Sequence, residues 1–307
     1  MDRIYRIKLF HPSRDRDIKW GVYRVLKSML LDDLIERALK EDIGTGDVTT
    51  DSIVPADYST IGLIQARQAG VVAGLPVARA VFRRLNADIS FQPRVREGER
   101  VQPGQLLARV EGDARTILTG ERVALNFLRH LSGIATFTAR LAEMIREYPA
   151  RLVDTRKTTP GLRLLEKYAV RVGGGQNHRF GLYDAVLIKD NHIKVAGGVR
   201  RAVELARAAV HHLMKIEVEV EDLAGLEEAL AAGADAVLLD NMDPATMARA
   251  VEITAGRALL EASGGINEEN IVAVARTGVD FISLGALTHS VHSLDISLDV
   301  GEMKPLR

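Results

Sequence analysis

The sequence predicts an α/β protein in which a small mixed α+β unit precedes a partial parallel barrel. Three observations carry this. From residue 151 onward, short apolar strands alternate with amphipathic helices, the pattern of a parallel sheet with right-handed crossovers. A near-repeat, "DAVLIKDN" at 184–191 against "DAVLLDN" at 235–241, points to stacked βα units. Ahead of that region the strands are short and alternating, and glycine or proline turns divide them.

The first 28 residues hold eight Lys/Arg, three acids and the single tryptophan, Trp20, with no long apolar stretch of the signal-peptide kind. They read as a basic extension ahead of Met29, with a basic partner-binding arm as the alternative. From Leu30 an apolar rhythm (Leu31, Leu34, Ile35, Ala38, Leu39) predicts a helix that stops before "EDIGTGDVTT", a loop with two glycines and three acids. "TIGLIQARQ" and "DISFQPRV" predict strands on either side of the helical "LPVARAVFRRL". "REGERVQPGQLLARVEG" carries turn signals at Gly98, Pro103-Gly104 and Gly112. That spacing is similar to a biotinyl or lipoyl carrier sandwich, but the segment has no lysine to modify. "TGERVALNFLRHLSGIATFTARLAEMIRE" predicts a long helix with a break at Ser132-Gly133. Six strands follow: "RLVDT", "DAVLIKD", "KIEVEVE", "DAVLLDN", "ALLEASGG" and "DFISLGAL". Closure of an eight-stranded barrel would need two more.

Whole-chain properties exclude several classes. Lys plus Arg equals Asp plus Glu at 41 each, so no global field favours nucleic acid or an anionic membrane. There is no cysteine, which removes disulfides, thiolate metal sites and cysteine nucleophiles and fits a cytoplasmic protein. No apolar run approaches the roughly 20 residues of a membrane-spanning helix.

In parallel α/β barrels the loops after the strands build the site, and here every strand ends in polar groups. The first offers Asp154, Arg156 and Lys157, the second Lys189, Asp190 and Asn191, the third Glu219 and Glu221, and the fourth Asp240 and Asn241. The fifth ends in Ser263, Gly264 and Gly265, and the sixth in Gly285 with His289 beyond. Arg156, Lys157, His178, Arg179 and Lys189 can concentrate positive charge for a small polyanion, since arginine forks bind carboxylate or phosphate bidentately. Glu219 and Asp240, beside bare amides, suit ribose hydroxyls, phosphate oxygens and Mg²⁺ together. The glycine run in "RVGGGQNHR" (171–179) lacks a P-loop ending and follows a helix. It reads as a turn that brings His178 and Arg179 into the mouth.

The motifs "ERVALNFLRHLSGIAT", "DTRKTTPGLRLLEKYAV", "GGGQNHRFGLYDAVLIKDNH", "EVE", "LLDN", "EASGGI" and "SLGALTHS" stand in the order and spacing of the quinolinate phosphoribosyltransferase family, which the chain resembles over about residues 30–300. The resemblance implies a type II phosphoribosyltransferase fold, an N-terminal α/β sandwich on an incomplete α/β barrel. The domains expected are an extension over 1–28, the sandwich over 29–133 joined by the tail 290–307, and the barrel over 134–289. It implies condensation of quinolinate with phosphoribosyl pyrophosphate, yielding nicotinate mononucleotide, pyrophosphate and CO₂, with Mg²⁺ required. It also implies a homodimer with a site shared between subunits; further assembly to a hexamer stays open. By the resemblance Arg156, His178, Arg179 and Lys189 face the quinolinate carboxylates, and Arg122 arrives from the other subunit. A surface pair with Glu121 is the other reading of Arg122. Lys157, Glu219, Asp240, Ser263, Gly264, Gly285 and His289 would surround the phosphoribosyl pyrophosphate, with Glu219 and Asp240 toward Mg²⁺. Gly265 would add a phosphate amide, and Thr155, Ser283 and Leu284 complete the expected substrate-binding set. Lys157, Lys189, Glu219 and Asp240 are the expected catalytic groups, and Lys157 and Lys189 are both candidates for the proton donor after CO₂ leaves. Two other readings stay open: the same fold acting on a different pyridine carboxylate, and a noncatalytic metabolite-binding barrel.

Overall fold

The structure is a computed structural model that describes residues 29–301 and 304–305. The basic extension expected over 1–28 lies outside the described residues.

The chain opens with helix α1 (Met29–Ile43), which buries Leu31, Ile35 and Leu39 on one side. It runs three residues past the expected end. The loop predicted for "EDIGTGDVTT" is only Gly44–Asp47, because a second helix, α2 (Val48–Ile53), begins at once. Asp47 is the reason: its carboxylate accepts from the Thr50 amide at 3.0 Å and from the Thr50 hydroxyl, an N-cap that an acid-and-glycine count does not reveal. Then come β1 (Tyr58–Ala66), β2 (Gly70–Val71), α3 (Leu75–Leu85), β3 (Ser90–Pro93), β4 (Arg100–Val101) and β5 (Leu106–Asp113). Burial alternates along β1 from Thr60 to Ala66, so this sheet is covered on one face.

Helix α4 (Ala114–Met144) is continuous over 31 residues, capped by Asp113 accepting from the Thr116 amide at 2.7 Å. No break occurs at Ser132-Gly133. Glycine stands at 133 because the returning tail crosses the helix there, and a Cβ would lie 2.2 Å from the His292 carbonyl oxygen. At roughly 1.5 Å per residue the helix is about 46 Å long. It packs against α3, β1 and β5 at one end.

The second half contains β6 (Arg151–Val153), α5 (Arg163–Val172), β7 (Val186–Ile188), α6 (Asp190–Ala196), α7 (Val199–Ala209), β8 (Ile216–Val220), α8 (Leu223–Ala231) and β9 (Ala236–Asp240). It ends with α9 (Pro244–Thr254), β10 (Leu259–Ser263), α10 (Ile271–Arg276), β11 (Phe281–Ser283) and α11 (Ala286–His289). All six strands are parallel, in the order β6-β11-β10-β9-β8-β7. Sequence neighbours are therefore spatial neighbours except at one place: β6 and β7 do not pair. A single parallel bridge, Val153 to Gln176, stands against β6 at that gap. The partial barrel read from six strands is thus an open barrel. Helix α4 also packs on α5 and β6, so one helix serves both sheets. The last strands, β12 (Ile296–Val300) and β13 (Lys304–Pro305), return to pair antiparallel with β1, giving the first sheet the order β12-β1-β5-β3.

Asp235, just before β9, ties three barrel segments. It accepts from Lys215 Nζ at 2.8 Å, Arg207 Nη2 at 2.7 Å and the Ile216 amide at 2.9 Å. Partial burial opposes ionisation, but these donors outweigh it and lower the carboxyl from 3.8 to about 2. Its folded value lies below its unfolded one, so its stabilisation is full above pH 3.8 and is lost as pH falls toward 2. In Asp235→Asn the unfolding free energy should therefore fall less steeply between pH 4 and pH 2 than in the parent. Parallel slopes in acid denaturant titrations would refute this.

Candidate active site

The turn around the glycine run sets the geometry. Gly173 ends α5 where a Cβ would lie 2.5 Å from the Ala135 carbonyl of α4, and Gly174 takes a positive φ of 96°. The chain thereby reverses against α4, and the Gln176 amide donates to Leu152 O at 2.8 Å. Asp154, fully buried, anchors the residues after the turn: it accepts from Asn177 Nδ2 at 2.5 Å, from the His178 amide at 3.0 Å and from the Lys167 ammonium. Lys167 Nζ also donates to His178 O at 3.1 Å.

His178 and Arg179 are the outcome of that anchoring. His178 Nε2 lies 2.9 Å from Glu217 Oε2 and 3.6 Å from Glu261 Oε2, and Nδ1 accepts from the Arg179 amide at 2.8 Å. Burial opposes the imidazolium, but the Glu217 bond and the Glu261 charge outweigh it and raise its proton affinity. Burial, reinforced by the charge of Glu217, pushes Glu261 up to about 7. Arg179 Nη1 donates to Ala185 O at 3.1 Å. Its affinity for its proton is lowered, first by burial and then by the Arg156 guanidinium nearby. Arg163 bridges the segment bearing Arg156 to the one that follows Arg179, donating to Thr158 Oγ1, Arg156 O and Phe180 O. Two guanidiniums near one another, with Glu217 and Asp184 offsetting only part of their charge at Arg179, favour an anion.

The remaining strand-end residues divide among separate contacts. Alternation along β8 buries Ile216, Val218 and Val220 and leaves Glu217 and Glu219 on the opposite face. Glu219 Oε2 pairs with Lys189 Nζ at 2.6 Å. Asp190 and Asn191 belong to the first turn of α6, where Asp190 pairs with Lys194 at 2.9 Å. Asp240 ends β9 and accepts from Asn241 Nδ2 at 3.0 Å, while the Asn241 amide donates to Ser263 O at 2.9 Å. Gly264 lies against the Asn241 side chain, and Gly265 follows, exposed. Lys157 and His289 close over Gly285, where a Cβ would lie 2.9 Å from both Lys157 Cδ and His289 Nε2. Thr288 Oγ1 holds Lys157 O at 2.7 Å, and the Lys157 amide donates to Thr155 Oγ1 at 3.0 Å. Ser283 and Leu284 are buried, and the Leu284 amide donates to Val153 O. Arg122 stands apart on α4: 55% exposed, it pairs with neighbouring Glu121 at 3.7 Å, and among the described residues no contact joins it to the mouth.

Sequence reasoning missed Glu217 and Glu261. The period-two pattern of "IEVEV" does place Glu217 on the face of Glu219, but nothing local shows that Glu261, two strands away, meets the same imidazole. Among the described residues, His178, Glu217 and Glu261 are the three metal-ligating side chains that converge; Glu219 and Asp240 do not join them.

An open parallel barrel with paired arginines, lysines and carboxylates at its mouth, joined by a long helix to an antiparallel sheet, defines a type II phosphoribosyltransferase. Comparison with known proteins narrows this. A sequence model described as quinolinate phosphoribosyl transferase, N-terminal domain, matches residues 47–132, and its C-terminal counterpart matches 134–299. The chain belongs to the quinolinate phosphoribosyltransferase family. It is 47% identical to a nicotinate-nucleotide pyrophosphorylase (carboxylating) of Mycobacterium leprae over 87% of this chain and 96% of the relative. A probable enzyme of the same name from Bacillus subtilis is 45% identical over 90% and 95%. The nicotinate-nucleotide pyrophosphorylase structure from Francisella tularensis superposes with a TM-score of 0.85 at 43% identity, over 89% of this chain and 96% of that one.

Proposed function

We propose that this chain transfers the phosphoribosyl group of phosphoribosyl pyrophosphate to the ring nitrogen of quinolinate and releases pyrophosphate and CO₂, leaving nicotinate mononucleotide for NAD synthesis. The observation that carries the reading, beside family membership, is that Arg163 ties the backbone at Arg156 to that at Phe180, bringing Arg156 and Arg179 near each other at the mouth. Two adjacent forks match two adjacent carboxylates better than one. They would hold a weakly nucleophilic pyridine against the anomeric carbon, so positioning and electrostatics supply most of the catalysis.

Lys157 and the amides near Gly285 would take the leaving pyrophosphate, while Ser263, Gly264 and Gly265 would bind phosphate oxygens. Glu219 or Asp240 would stabilise cation-like character at the ribose. Lys189, already beside Glu219, would link the carboxylate and ribose halves of the site. Glu219 and Asp240, hard oxygen donors from adjacent strands, would hold Mg²⁺ and leave its remaining ligands to phosphate and water. When bound, it would supply charge neutralisation for the departing pyrophosphate. Alkylation makes the ring nitrogen an electron sink, the adjacent carboxylate then leaves as CO₂, and the ring carbon left behind takes a proton, for which Lys157 and Lys189 are the candidate donors.

A homodimer in which Arg122 of one subunit completes the other's site accounts for an arginine left exposed on α4. A cytoplasmic setting is supported by the absence of cysteine, and no helix among the described residues is long and apolar enough to cross a membrane. Incubation with quinolinate, phosphoribosyl pyrophosphate and Mg²⁺ should yield nicotinate mononucleotide and equimolar CO₂. Equal turnover of nicotinate without CO₂ would assign a different substrate, and binding without pyrophosphate release would remove the enzymatic reading.

A further inference from the structure

We propose that Glu217 and Glu261 are positioning residues for substrate recognition, holding the His178 imidazole with its proton on Nε2 so that Nδ1 accepts the Arg179 amide and Arg179 is aimed at a substrate carboxylate. This rests on the reading of Arg179 as a carboxylate ligand. His178 then acts through Arg179, because protein groups already engage both of its ring nitrogens.

The geometry allows one assignment of protons. The Arg179 amide can only donate, so Nδ1 at 2.8 Å must be an unprotonated acceptor. A proton there would point N–H at N–H. Nε2 therefore carries the imidazole proton and donates it to Glu217 Oε2 at 2.9 Å. Glu261 Oε2 is 3.6 Å from the same nitrogen, a second acidic group against one donor. Its other oxygen, Oε1, is buried without a hydrogen-bond partner among the described residues. A carboxylate would be costly there, whereas a protonated carboxyl leaves less charge unsatisfied. The rise at His178 draws in part on the Glu261 charge, and burial favours the protonated form of Glu261 itself. The ring therefore has less cause to take a second proton, in keeping with the acceptor role of Nδ1. Glu217 orients the ring by accepting from Nε2, and Glu261 stands 3.6 Å from the same nitrogen. Both stand on strands, β8 and β10, with β9 in register between them, so the support beneath the 177–179 turn is rigid.

Steady-state kinetics and nitrogen-15 spectra of labelled histidine test this in the full-length enzyme. Glu217→Gln should raise the KM for quinolinate about tenfold while that for phosphoribosyl pyrophosphate stays within about twofold. Glu261→Ala should also raise the quinolinate KM, and Glu261→Gln, which keeps the shape of a protonated carboxyl, should restore most of it. Equal damage to both KM values, or no rescue by glutamine, would overturn the proposal. In the spectra, the resonances lost in His178→Gln should show a bare Nδ1 and a protonated Nε2 at neutral pH; an imidazolium would overturn it whatever the kinetics. If the parent protein does not turn over quinolinate, the functional reading fails, and the spectra still decide the proton assignment.

Discussion

Chains carrying Arg122→Ala and chains carrying Lys157→Ala, each nearly inactive alone, are expected to regain activity when unfolded together and reassembled. Each single substitution removes a positive group from a polyanion site and should lower kcat/KM by roughly 10²- to 10³-fold. If Arg122 completes the partner's barrel, a mixed dimer has one site with both defects and one with neither. Random pairing makes half the dimers mixed, each with one of two sites intact, so roughly a quarter of parent activity should return. Confirmed mixed dimers without recovery would show that Arg122 does not serve the partner's site, and its pair with Glu121 would then be its role.

Lys167→Met should cost the most stability of any substitution considered. Lys167 and Asp154 are both buried, and Asp154 also gathers the Asn177 side chain and the His178 amide. Burial pushes the Asp154 carboxyl up and the Lys167 ammonium down, and each group's charge supports the other's. Removing the lysine leaves a carboxylate in the interior without its counterion, at a cost of roughly 3–5 kcal/mol. For a chain of this size that corresponds to a Tm lower by about 10 °C. Activity should fall as well, since the turn bearing His178 and Arg179 loses its anchor. Combining Lys167→Met with Asp154→Asn should recover part of the Tm, because no buried charge is then unpaired. A Tm change under about 2 °C for the single variant would show that the pair does not hold the turn.

Much of the architecture was legible because it follows from periodicity. Strand-helix alternation after residue 151 located all six barrel strands, and the missing two foretold a partial barrel; where it opens, between β6 and β7, came from the strand order. What escaped is what depends on distant partners. The Ser132-Gly133 pair reads as a helix breaker, yet the glycine is there for the tail that crosses it. Asp47 looks like one more loop acid until its bonds to Thr50 make it a cap. The pairing of β12 with β1 leaves no local trace; only the family resemblance suggested a returning tail. In the site, strand ends pointed to Lys157, Lys189, Glu219 and Asp240. Glu217, Glu261 and Lys167 stayed hidden because each draws its meaning from a side chain on another element.

The unbroken α4 means that the chain cannot be dissected where its two family segments meet. A cut at residue 133 would sever a helix in mid-span, separating Val123, Leu128 and Leu131 from Ile134, Ala135 and Leu141. It would also part Thr136 from the Val71 amide it accepts from, at 2.8 Å, so each fragment would present a raw apolar stripe to water. A barrel made to stand alone would have to keep the whole rod and so bare the half that belongs under the other sheet. The two segments match separate family models, but mechanically they share one spine.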